Sequence, residues 1–305
     1  MPSGSQLAYA AAFAVFAVAA GIFVYVAGSF ALMRGHVDRR SARRHLLEAL
    51  REAAWAALTQ PLVPLFYVVG RRLARGHGTP IVVVHGYTQN RVDFLRIARG
   101  CARAGLGPVY GFNYPWFASL HANARRLARF CDGVRRETGQ ERVDLVAHSL
   151  GGLVAMEYLH DAGAERVRRL VTIASPHAGI AWRGPIVGVG GAQLRRGSAF
   201  LVERASRAVS VPCLSIYSLQ DNVVHPPATS MLAKRGAQDH AVAHAGHLAI
   251  LFDPDVVRAV VDFVGAPDAV DAKVAMPSAA PTQKNAPGPL ARDEGTGGIS
   301  TLHAD

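Results

Sequence analysis

The chain is poor in the residues that staple or metallate small folds. Its three cysteines, Cys101, Cys131 and Cys213, sit at no metal-ligand spacing and make no evident disulfide framework. Cys131 falls on a helical pattern and Cys213 in an apolar strand, so buried free thiols are expected. Acidic residues are few, 22 against 33 Lys and Arg. No nucleic-acid recognition motif is present, and the basic residues are not interleaved with aromatics, so no nucleic-acid partner is expected. Internal repeats are absent, which excludes a solenoid or propeller. Charge is missing altogether from residues 7–33.

What is present is enough for one α/β domain with appendages: 305 residues, half of them hydrophobic. The charge-free run 7–33, with Leu7, Phe13, Phe16, Ile22, Phe23, Phe30 and Met33, is long enough at ~1.5 Å per residue to cross a bilayer. It predicts a single-pass transmembrane anchor over 1–33, with the bacterial inner membrane as the expected location. A cleaved signal peptide fits less well, because no Lys or Arg precedes the run and it exceeds a usual h-region. Nine arginines lie between Arg34 and Arg75, against Asp38, Glu48 and Glu52, and read as a basic neck facing anionic lipid. Residues 34–78 thus form a connecting segment. Its apolar part, Ala53 to Gly70, has three readings: completing a membrane hairpin, lying in the interface, or packing on the domain. The side of the membrane on which the rest lies depends on that choice.

From Thr79 short apolar strands alternate with amphipathic helices, the pattern of a parallel sheet covered on both faces. Strands are expected at Ile81–Val84, Val109–Phe112, Val143–Ala147, Leu170–Ala174 and Cys213–Tyr217. Helices are expected at Arg91–Ala104, Ser119–Thr138 and Pro254–Val264. The domain so defined covers 79–266. Within it, residues 180–210 mix glycines with Trp182, Ile186, Val187, Leu194 and Phe200. They read as a candidate cap or, equally, as a surface loop with a helix on the core. Residues 267–305 collapse to Ala, Pro, Gly, Ser and Thr and read as a disordered tail.

The chemistry concentrates at residues 146–152, Val-Ala-His-Ser-Leu-Gly-Gly. Three apolar residues run into a small-residue turn, and a helix-forming run from Leu153 follows. A serine on so sharp a strand-to-helix turn has a strained backbone and an exposed hydroxyl beside free helix N–H groups. A serine hydroxyl is a poor nucleophile at neutral pH and needs a histidine base, itself oriented by a carboxylate. Asp221 lies just past the strand Cys213–Tyr217, and His247 follows a short apolar strand and precedes a helix. Ser149, His247 and Asp221 are therefore the candidate nucleophile, base and orienting acid. Gly86, after the strand Ile81–Val84, lets the backbone approach a substrate carbonyl. The N–H groups of Tyr87 and Leu150 would donate to a developing oxyanion.

Four segments carry a resemblance: Ile81-Val-Val-Val-His-Gly-Tyr, Ala147-His-Ser-Leu-Gly-Gly, Ser215-Ile-Tyr-Ser-Leu-Gln-Asp and Gly246-His247-Leu. Their order is that of the α/β-hydrolase superfamily, and they resemble the class 2 bacterial lipases and esterases, including the minimal secreted lipases of bacilli. Ala147 stands where the usual G-x-S-x-G pattern has its first glycine. The resemblance covers roughly 79–264. It implies an α/β-hydrolase fold, a mostly parallel central sheet with helices on both faces, here preceded by the N-terminal transmembrane helix. It also implies carboxylic-ester hydrolysis through an acyl-enzyme without a cofactor. His85, Gly86, His148 and His177 are expected around the substrate, with His85 as a loop anchor. The spacing of His240, His244 and His247 hints at zinc, but a catalytic His247 is no ligand, and no acidic cluster flanks Asp221 or His247 for calcium, so no metal is expected. The membrane neck and anchor point to lipid or lipophilic esters. The alternatives are an acyltransferase or thioesterase on the same triad, and a catalytically silent lipid-binding scaffold; oligomeric state is left open.

Overall fold

The computed structural model describes residues 3–34, 42–182 and 186–267. The arginines at 39 and 40 of the expected neck and the expected disordered tail from 268 lie outside them. The chain begins with α1 (Gly4–Arg34), α2 (Ala42–Thr59) and α3 (Val63–Val68). It continues through β1 (Arg72–Ala74), β2 (Ile81–Val84), α4 (Leu95–Arg103), β3 (Val109–Phe112), α5 (Leu120–Thr138), β4 (Val143–His148) and α6 (Leu150–Tyr158). The second half holds β5 (Val167–Ile173), α7 (Gly188–Gln193), α8 (Ala199–Arg204), β6 (Cys213–Ser218), β7 (Gln238–Val242) and α9 (Pro254–Gly265).

The seven strands form one sheet in the order β1-β3-β2-β4-β5-β6-β7. Only β1 runs antiparallel. The central strands are continuous apolar runs because both sheet faces are covered. Alternation along β2 sends Val82 and Val84 to a core shared with Leu127 of α5 and Val154 of α6. Ile81 and Val83 go to the opposite core, with Ile97 of α4 and Val260 of α9. Local chemistry sets the helix ends. The Ser119 hydroxyl accepts from the Ala122 N–H at the start of α5, and Gly139 closes that helix at φ 69°. Asp253 and Pro254 open α9. All three cysteines are buried and unbridged. The one strand that the sequence pattern misses, β1, is a short, Arg-containing edge.

The transmembrane expectation is overturned. Among the described residues, no helix is long and apolar enough to cross a membrane. One stripe of the C-terminal half of α1 packs on protein, while Phe23, Val24, Tyr25 and Leu32 are exposed. Val26, Phe30 and Met33 are buried, with Ala49 and Ala53 of α2 packed against them. Ser29 accepts a hydrogen bond from Asn222, 193 residues away.

Residues 53–70 contact the rest of the chain through Trp55 and backbone carbonyls, while Leu58, Leu65 and Val68 are exposed. Trp55 stacks on Phe252 with ring centroids 3.9 Å apart. Asn90 donates to the Val63 carbonyl at 2.6 Å and Asn113 to that of Phe66 at 2.9 Å. The buried Arg91 guanidinium donates to the carbonyls of Phe66 (2.7 Å), Tyr67 (3.0 Å) and Gly111 (3.2 Å). The first two are orphan carbonyls of the short helix α3 and the third belongs to β3, so one fork of donors ties that helix to the sheet. Arg91→Ala therefore leaves three carbonyls short of a charged donor. We expect a loss of about 2–4 kcal/mol in unfolding free energy. Faster amide exchange should appear over residues 63–70; unchanged exchange there would contradict the clamp.

Candidate active site

The site lies at the carboxyl ends of β2, β4, β5 and β6, where loops leave a parallel sheet. Ser149 joins β4 to α6 with φ 53° and ψ −124°, a conformation costing about 1–3 kcal/mol for a residue with a side chain. The turn closes because its neighbours are glycines. A Cβ at Gly151 would lie 2.9 Å from the Val84 carbonyl carbon, and one at Gly152 would lie 2.6 Å from Ser175 Cβ. A Cβ at Gly86 would sit 2.9 Å from Ser149 Cβ and 3.2 Å from His148 Nδ1. Ala147, at the position of the usual glycine, is fully buried and pairs with Val84 and Thr172 in the ladder.

The structure brings Ser149, His247 and Asp221 together. The Ser149 hydroxyl donates to His247 Nε2 at 2.9 Å. His247 Nδ1–H donates to Asp221, 2.9 Å from Oδ2 and 3.1 Å from Oδ1. The N–H groups of Val223 and Val224 also reach Asp221 Oδ1, at 2.8 and 2.7 Å, which locks the carboxylate plane. Burial alone would lower the His247 pKa. The charge and hydrogen bond of Asp221, with the charge of Glu52, outweigh it and hold the imidazole above its ordinary value.

The other expected residues sit around this line. Leu150 is the first residue of α6, so its N–H has no partner within the helix. Tyr87 follows the glycine that abuts Ser149, and its N–H lies on the same loop. Its ring meets Trp116 edge-on at 4.5 Å, and its hydroxyl bonds both the N–H and the carbonyl of Val187. His85 is fully buried between backbone groups. Nδ1–H donates to Gly86 O at 2.9 Å, and Nε2 accepts from the Tyr114 N–H at 3.3 Å. Burial pushes its pKa down to about 4, so it stays neutral and braces the loop. His148 Nε2–H donates to the His247 carbonyl at 2.9 Å, and Nδ1 lies 2.8 Å from Gln89 Oε1. His177 is buried, 3.2 Å from Thr172 Oγ1, with burial pushing its pKa down to about 3. His240 lies on β7 and His244 beyond it, and both His247 nitrogens are already engaged. The His121, Glu157 and Asp161 ligand atoms also come close together, but Glu157 already holds Arg204 through both oxygens.

The segment 180–210 packs beside the Tyr87 loop, with α7 and α8 on either side of Leu194. Ile180 pairs through its backbone with Leu194 and Arg196, and Gln193 accepts from the Leu120 N–H. Leu194 and Leu201 are buried, whereas Trp182, Val187 and Val189 are exposed; residues 183–185 lie outside the described residues.

Sequence reasoning missed three supports. Gln89 Oε1 accepts from the Gly86 N–H at 2.9 Å. Asn222 Oδ1 accepts from the His247 N–H at 2.8 Å. Glu52 accepts from Leu248 and Ala249 at 2.8 Å each. Gln89 and Asn222 lie within a few residues of recognised motifs and were within reach of a turn analysis. Glu52 gives no such signal.

Known proteins fit this geometry. A family model described as alpha/beta hydrolase fold matches residues 79–189. Lipase B of Aspergillus fumigatus is similar with a TM-score of 0.54 and 16% identity, over 62% of this chain and 52% of that one. The chain thus spans about half the length of that lipase. An esterase of Exiguobacterium antarcticum, EaEST, matches with a TM-score of 0.50 and 16% identity, over 63% of this chain and 94% of that one. The resemblance to α/β-hydrolases holds, and at these identities it is a likeness of fold.

The opposed terms on His247 make a direct test. Followed by NMR, its ring should titrate above the ordinary value of about 6.5. In Asp221→Asn the largest raising charge is gone while burial and the charge of Glu52 remain, so the titration should move to lower pH. An unchanged titration in the variant would contradict the ion pair.

Proposed function

We propose that this chain, which has the α/β-hydrolase fold, is a serine carboxylic-ester hydrolase working through an acyl-enzyme. The observation that carries the reading is the unbroken line from Ser149 Oγ through His247 to Asp221, with heavy-atom distances of 2.9 Å at each step. His247 takes the Ser149 proton as Oγ adds to the ester carbonyl. The Tyr87 and Leu150 N–H groups receive the oxyanion, a contribution of about 3–4 kcal/mol per well-placed donor. His247 then protonates the departing alkoxide, and a water activated by the same nitrogen releases the acid. Asp221 keeps Nδ1 protonated throughout, so Nε2 is always the face presented to Ser149.

Support for a lipophilic acyl group comes from the wall beside the nucleophile. Tyr87 meets Trp116, and both, like Ile186, pack against the core, while Phe117, Val187 and Val189 are exposed. Apolar surface left open beside a reactive serine suits an acyl chain.

Ser149→Ala should lower kcat/KM for p-nitrophenyl butyrate by roughly 10³-fold or more, with its melting temperature little changed because alanine keeps the Cβ and the same positive φ. Retained activity in that variant would overturn the assignment. In the wild type kcat/KM should fall as pH drops through the His247 titration, because only the neutral imidazole accepts the proton.

A further inference from the structure

We propose that Glu52, delivered by α2 from outside the α/β domain, is a positioning residue that holds the His247 loop in line with Ser149 and Asp221. The proposal rests on the hydrolase reading above. The carboxylate is 3% exposed. One oxygen accepts from the Leu248 N–H and the other from the Ala249 N–H, both at 2.8 Å. Those two donors open the short helix Ala249–Phe252, whose own turns leave them unpaired. The preceding residue, Gly246, has no room for a side chain, because a Cβ there would lie 2.8 Å from the Glu52 carboxyl carbon.

Three consecutive N–H groups of the loop are thereby assigned, that of His247 to Asn222 and the next two to Glu52. Asn222 is in turn tied to Ser29 of α1 at 2.7 Å. Both first helices therefore reach the acid and base loops. A helix whose only role was to cover apolar surface would not need a charged group buried at this point. Burying a carboxylate costs several kcal/mol unless it is fully hydrogen-bonded, so an apolar residue would be the cheaper cover.

The charge also acts on the imidazole. The titratable groups that face Glu52 are His247, Asp221, Tyr25 of α1 and Asp93 before α4. Burial outweighs the two N–H donors and His247 and holds Glu52 up at about 7. A negative Glu52 favours the imidazolium that forms as Ser149 attacks.

The test uses the full chain, p-nitrophenyl butyrate over pH 5–9, and His247 NMR, with rates scaled to sites titrated by a fluorophosphonate. Glu52→Gln should lower kcat roughly tenfold with KM within about twofold, since only the geometry of proton transfer is disturbed. Its acidic limb and the His247 titration should both move to lower pH by about 0.5 unit or more, because a neighbouring negative charge is lost. Glu52→Asp keeps the charge but is one methylene shorter. It should hold the acidic limb at the wild-type position while kcat still falls. A lower melting temperature with kcat per titrated site and both pH readouts unchanged would make Glu52 purely structural and overturn the proposal. If Glu52→Gln does not fold, full kcat per site in Glu52→Asp overturns it as well. A wild type that neither hydrolyses the ester nor labels would sink the hydrolase reading instead, and the His247 titration in Glu52→Gln would still decide the positioning role.

Discussion

The backbone of Ser149 is the constraint around which the carboxyl ends of β2 and β4 are built. A positive φ at a residue with a side chain persists only where the surroundings over-determine it. Here β4 enters from one side with all its residues buried, and α6 leaves at once on the other. Gly151 and Gly152 let the helix pass the ends of β2 and β5, and Gly86 lets a neighbouring loop touch the serine itself. Any of these positions filled by a methyl group would push the turn open. The same close packing that strains the serine brings the first N–H of α6 and the Tyr87 loop to its hydroxyl. Strain, access and the proposed anion stabilisation thus share one geometric cause.

The imidazole opposite the serine is held by forces that oppose each other. Burial favours the neutral ring, and two carboxylates favour the cation. In the proposed reaction that balance suits a base that accepts a proton and is stabilised as the cation through the tetrahedral stage. His85 and His148, equally buried but without a carboxylate partner, are held neutral by the same desolvation. Three histidines within one site therefore behave differently because of what stands beside them, not because of how deeply they lie.

Much of this was legible in the sequence. Ile81–Val84 and Val143–Ala147 read as buried parallel strands because no polar residue but Asp144 interrupts them, and Ser149, Asp221 and His247 were found because each follows a strand at a loop. The strand β1 was missed because three residues at an edge carry no periodicity. The charge-free run 7–33 was read as a bilayer span because apolarity alone does not say whether lipid or protein covers it; Val26, Phe30 and Met33 are covered by protein. Glu52 was invisible for a related reason. An acid among arginines on an amphipathic helix has the pattern of a solvated face, and its partners Leu248 and Ala249 lie 196 and 197 residues away. Local pattern carries the sheet and the loops that leave it, whereas contacts between the N-terminal helices and those loops depend on docking that no local pattern encodes.

The central claim is that Ser149 is a nucleophile activated by His247. Peptide mapping by mass spectrometry after exposure to a fluorophosphonate tests it most directly. The account predicts a single phosphonyl adduct on the peptide containing Ser149, formed by the wild type and lost in His247→Ala. An unmodified Ser149 peptide in the wild type, or an adduct that forms equally fast without His247, would contradict it.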